Sequence, residues 1–145
     1  MSSAPQIRYP DCYGIDMANL EGLIAFQAAL SLLKDIGQTE LIERVYKKCK
    51  AQENYEDSKV ENFVKEVYAP FGNEDISTKI AELVSVEGIN AEVKIIFQPI
   101  ENLHRACPRN SGDWYFTGDY PTDGGKRVVN QAFINFYEGK KGRPY

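Results

Sequence analysis

The sequence predicts an α+β chain, mostly helical, with one or two short strands. Apolar residues recur at helical spacing in four stretches between positions 20 and 84, and again over 129–136. A single run, AEVKIIF at 91–97, has the β-branched density of a convincing strand. Glycine and proline mark element boundaries, with no repeat, low-complexity tract or interdomain linker, so residues 1–145 are expected to form one domain. So little strand is unusual for a self-contained α/β domain and suits a piece cut from one.

Each element has a local reason. Residues 5–17, PQIRYPDCYGIDM, hold two prolines and a glycine. An extended chain with a turn follows, because the residue before proline is pushed out of helical geometry. From Asn19 onward, Leu20, Leu23, Ile24, Leu30, Leu32, Leu33 and Ile36 leave almost no polar face, which predicts a helix buried on most sides and stopped by Gly37. Thr39 is placed to cap a second helix whose stripe is Leu41, Ile42, Val45, Tyr46 and Cys49, with a polar loop at 51–58. Val60, Phe63, Val64, Val67 and Tyr68 form a third stripe closed by Pro70 and Gly72; Ile76, Ile80, Leu83 and Val84 form a fourth before Gly88. After the strand, Pro99 falls at the first turn of a helix over 100–107. WYF (114–116) predicts a short extended piece, GDYPTDGG is turn chemistry, and the last helix carries Val129, Ala132, Phe133 and Phe136 on one face.

Composition narrows the function. Acidic residues outnumber basic ones, 21 to 17, for a net charge of −4, and no basic stripe is present, which argues against a nucleic-acid partner. The apolar run at 23–33 is interrupted by Gln27 and Ser31 and is too short to span a bilayer, and the first residues lack the pattern of a secretory signal. Cys12, Cys49 and Cys107 are scattered without a C-x-x-C pair, which suits a reduced, cytoplasmic chain.

Several residues could carry chemistry. His104 stands alone, so a surface or half-buried histidine outweighs a metal or nucleophilic role. Asp11 and Asp16 flank a tyrosine-containing turn and could hold a cation or ribose hydroxyl, or bond to neighbouring amides. TDGGKR (122–127) could hold a phosphate at a helix start, although Thr122 or Asp123 as a plain cap explains the same residues. Trp114, Tyr115, Phe116 and Tyr120 could stack on a base, or pack the last helix against the body.

Three segments go further. RYPDCYGIDM (8–17) after SSAP, VKIIFQPIENLHRA (93–106) and FTGDYPT (116–122) occur in that order. They resemble the segment after the phosphoribosyl-pyrophosphate motif, the short strand and helix beyond it, and the Phe-Thr-Gly-x-Tyr-Pro-Thr near the end of the amidophosphoribosyltransferase family. That family opens purine synthesis with glutamine-dependent transfer. Residues 27–73 correspond to an extra helical insertion relative to shorter members.

The resemblance implies the C-terminal part of an α/β phosphoribosyltransferase-type domain. It also implies a parent reaction in which glutamine is hydrolysed, ammonia passes through a water-excluding channel, and C1 of phosphoribosyl pyrophosphate is attacked. Tyr13, Gly14 and Asp16 would border the substrate pocket, and Val128, Val129, Ala132, Phe133 and Phe136 would form the face of a lid helix. The family's glutaminase cysteine and its aspartate pair, which organises magnesium-bound diphosphate, have no counterpart in this sequence. No catalytic or metal-binding residue is therefore expected, and magnesium belongs to the parent. Some relatives hold an iron–sulfur cluster, but Asp11, Gly112 and Tyr115 stand where their cysteines would be, so no cluster is expected. The expected partners are the remaining glutaminase and transferase portions and further copies of the chain, with neither nucleic acid nor membrane. A stand-alone helical interaction module, or a split subunit completing the enzyme, is the competing expectation.

Overall fold

A computed structural model describes residues 4–10, 18–54, 60–86, 88, 90–109, 112–142 and 144. In chain order they form a 3₁₀ turn (Leu20–Gly22) and helices α1 (Ile24–Asp35), α2 (Glu40–Ala51), α3 (Lys65–Tyr68), α4 (Asn73–Val84), α5 (Ile100–Ala106), α6 (Trp114–Thr117) and α7 (Asp123–Tyr137). Among the described residues there is no strand and no sheet. This corrects the α+β expectation and with it the phosphoribosyltransferase-type fold.

The error has a physical origin at 91–97. β-branched residues favour extended backbone, but a strand exists only when a neighbour satisfies its N–H and C=O groups. Among the described residues, the backbone hydrogen bond this stretch makes is from Gln98 N–H to the Ala4 carbonyl, 3.1 Å, just past the run. Two other boundaries moved. The third stripe becomes helical only over α3, because the Gln52 side chain grips both backbone groups of Glu61, accepting from its N–H at 2.8 Å and donating to its carbonyl at 3.2 Å. WYF is a helical turn rather than extended chain, closed by Gly118 at φ 75°.

The core joins what lies inside and outside positions 27–73. α1 packs on α4 and α2 packs on α7. Leu33, Val45 and Val67 share one buried cluster with Leu20, Phe26, Ile76, Ile80, Val129 and Phe133. Phe26 meets Phe133 and Phe136 edge-on, with ring centroids 6.0 and 5.0 Å apart. Each such side chain contributes about 1.5–3 kcal/mol by leaving water. The polar seam is also filled: Asn130, 4% exposed, donates to the Glu61 carbonyl at 2.8 Å and accepts from the Cys49 thiol at 3.5 Å. At the end of the α2–α7 pair, Tyr46 stacks on Tyr137 and donates to the Glu138 carboxylate at 2.8 Å, beside Lys50 at 3.2 Å.

Candidate functional site

Two non-helical segments, 4–10 and 94–98, meet on one side of the helices. Residues 4–10 run along the face formed by α3, α4 and α6, held by side chains distant in sequence. Gln6, only 4% exposed, donates to the Asn73 carbonyl at 2.7 Å and to Ser77 Oγ at 2.8 Å, while its Oε1 accepts from Arg8 Nε and Nη2. Arg8 also donates to Asn73 Oδ1 at 2.6 Å and lies 5.3 Å over the Tyr68 ring. Burial pulls its guanidinium below the usual arginine range. Its backbone and that of Tyr9 donate to the Tyr115 carbonyl at 2.9 and 3.1 Å.

Tyrosines finish the clamp. Tyr68 Oη donates to the Arg8 carbonyl at 2.5 Å, and Tyr120 Oη donates to the Pro10 carbonyl. Desolvation pushes the Tyr9 and Tyr68 phenols well above the ordinary value, so both stay neutral and Tyr68 keeps the proton it donates. Tyr9 fits against Gly118, where an added Cβ would come within 2.7 Å of its ring. Gly125 similarly admits Tyr120, with 2.6 Å between a hypothetical Cβ and the ring.

Beside this clamp lies an apolar groove of about 430 Å³ bounded by Pro5, Ile7, Ile24, Ala25, Ile96 and Phe97. Ile96 is 78% exposed, and Ile7 and Ile24 are exposed as well. On the other side of residues 5–8 is a second cavity, about 330 Å³, where Arg8, Lys94 and Glu74 accompany Asn73, Ser77 and Gln98. Contiguous exposed apolar side chains with a polar rim are the usual composition of a contact surface.

The sequence-predicted residues divide. Tyr13, Gly14 and Asp16 lie outside the described residues, as do Asp11 and Cys12; the chain is anchored at Pro10 before them and at buried Ala18 after them. Val129, Ala132 and Phe133 are buried in the core, Val128 and Phe136 are half-buried, and all five lie on α7. His104 is exposed and meets Asp113 Oδ2 at 2.7 Å. Thr122 accepts from the Gly125 amide at 3.2 Å, the bond of an ordinary cap. Lys126 is paired with Asp123, and Arg127 donates to the Glu53 carbonyl. Of the aromatic group, Tyr120 belongs to the clamp and Trp114 packs against the core.

Cys49 is buried beside Asn130, and desolvation pushes its thiol up to about 12, an unreactive state at neutral pH. Among the described residues no group of three or more His, Cys, Asp or Glu side chains could hold a metal ion. None of their helices is long and apolar enough to cross a membrane. Sequence reasoning missed Gln6, Asn73 and Gln52. Each is an unremarkable polar residue in sequence, with a role set by partners that only folding brings near. No family model matches the chain, and neither a curated protein nor a solved structure matches it.

Proposed function

We propose that this chain is a non-catalytic, supporting portion of a glutamine-dependent amidophosphoribosyltransferase. One observation supports the reading: the described parts of the three motif segments lie against one another. Tyr9 sits on Gly118 and Tyr120 bonds to Pro10, while Arg8 and Tyr9 bond to Tyr115, next to the third motif, and Gln98 bonds to Ala4, in the SSAP ahead of the first. Segments that resemble one family in order, and also touch, are better suited to a shared site than segments scattered over a surface.

In this reading the clamp holds the two ends of the stretch carrying Tyr13, Gly14 and Asp16 at the border of a phosphoribosyl-pyrophosphate pocket. The carboxylates that organise magnesium and diphosphate are supplied by the rest of the enzyme. α7 has the structural part of the role: with Phe133 at 0% exposure, it stands as a wall fastened to the core. The proposed location is the cytoplasm, and no iron–sulfur cluster is assigned.

A second reading, a helical interaction module or a split subunit, is favoured by the groove at Ile7, Ile24 and Ile96, which has the character of a docking face. One experiment separates the supporting portion from the stand-alone module. The chain is mixed with the remaining glutaminase and transferase portions, and glutamine-dependent formation of phosphoribosylamine is followed. Restored transfer is expected. No restoration despite binding would favour the module, and tight magnesium-dependent uptake of phosphoribosyl pyrophosphate by the chain alone would refute the supporting role.

A further inference from the structure

The cavity of about 330 Å³ beside residues 5–8 is bordered by three charged side chains, Arg8, Lys94 and Glu74. Among the described residues none of the three makes an ion pair. Arg8 matters most. It is half-buried, and its guanidinium donates only to the neutral amide oxygens of Gln6 and Asn73. A cation drawn partly out of water against neutral acceptors keeps a charge that a carboxylate ordinarily answers. Nε and Nη2 make these bonds, whereas Nη1 makes none among the described residues. No buried side-chain nitrogen there lacks a partner, so Nη1 reaches solvent. Arg8 also borders an opening of about 470 Å³ shared with Lys65 and Glu66. There the charges are already matched, Lys65 by Asp119 and Glu66 by Lys48, each at 2.6 Å. The unmatched charges are those of the first cavity.

We propose that this cavity binds a small organic monocarboxylate, with Arg8 and Lys94 as the cations that meet its carboxylate. Two cations against Glu74 leave one positive charge in excess, which a single carboxylate cancels. A doubly charged phosphate would overshoot that balance and be opposed by Glu74. Ile95, Phe97 and Ile100 line the same cavity, so the anion carries a short apolar body. This combination, an apolar wall with a few charged groups, is the usual make-up of a small-molecule site. The inference goes beyond the enzymatic reading and does not depend on it.

Titration of the full chain with butyrate, at fixed pH and ionic strength, tests it by proton–nitrogen NMR. The Arg8 Nε–H and the backbone amides of 94–98 are expected to shift saturably. Chloride and the neutral isostere butyramide should leave them in place. Lys94→Gln should weaken binding about threefold, and Glu74→Gln should tighten it by a similar factor. Both side chains are exposed, so the rest of the spectrum should not change. Arg8→Gln should weaken binding about tenfold. Because Arg8 also belongs to the clamp, the two exposed variants, with effects of opposite sign, decide the matter. A response no different from that to chloride, or equal for butyrate and butyramide, overturns the inference. So does tighter binding of inorganic phosphate than of butyrate, or an affinity that either exposed variant leaves unchanged.

Discussion

Helix α1 and the run at 91–97 are both strongly apolar, yet they have opposite fates. Phe26, Ala28, Ala29 and Leu33 on α1 are fully buried. No described residue from 85 to 113 is buried, and Val86 and Ile96 are 64% and 78% exposed. A helix satisfies its own backbone, so its side chains need only find a face to pack against. An extended run must borrow donors and acceptors from a neighbour. Apolar content alone therefore does not decide whether a segment joins the core. The run with the highest strand propensity is also the one most dependent on something outside itself.

This contrast can be broken from the core side first. Phe133→Ala removes a fully buried ring that meets Phe26 edge-on. It should cost about 3–5 kcal/mol in urea denaturation, enough to threaten folding at 37 °C. A cost below about 1 kcal/mol would mean that α7 is not fastened as described.

At the border between the two regions, Tyr68→Phe deletes one hydroxyl donor and leaves the Arg8 carbonyl without it. A loss of about 1–2 kcal/mol is expected, with faster amide exchange over residues 6–10. If exchange in that segment were unchanged, the clamp would not depend on this bond.

The α2–α7 junction offers a pH test. Hydrogen bonds from Lys140, then Tyr46 and Lys50, hold the Glu138 carboxyl at about 2, against an ordinary 4.5. A depressed folded value means stabilisation that is present above pH 4.5 and lost as pH falls toward 2. Glu138→Gln should flatten this part of the stability–pH profile, by a modest amount because the group is solvated. An unchanged acid limb would assign the dependence to other carboxylates.

The smallest effect sharpens the comparison from the other side. Ile96→Ala should alter monomer stability by no more than about 0.5 kcal/mol, since its side chain is already in water. Under the proposed function, the same change weakens association with the remaining enzyme portions. A large loss of monomer stability would place Ile96 in a core that the structure does not give it.

Local signals accounted for much of the helical framework. The stripes of Leu41, Val45 and Cys49, of Ile76 and Ile80, and of Val129 and Phe133 were legible because a 3.6-residue period is a property of the chain itself. Gly37 and Thr122 were legible as stop and cap for the same reason, although Thr39 stands at the start of α2 without making a side-chain cap bond. The third helix was overestimated because the Gln52 grip on Glu61 is a tertiary contact. Of the candidate site, Gly118 and Tyr120 of FTGDYPT were visible as parts of a motif. Their pairing with Pro10 and Tyr9, more than 100 residues earlier, was not.

The sequence by itself determined the apolar stripes of α1, α2, α4 and α7 and the stop at Gly37, because these depend on neighbours within a few residues. Tertiary structure alone decided that 91–97 forms no strand among the described residues, that positions 27–73 share one core with the rest, and that Asn73, Tyr68 and Tyr120 converge on residues 6–10. Those outcomes depend on which distant groups can reach a given donor or acceptor. Hydrogen bonding and packing across the fold choose that partner, whatever the local propensity.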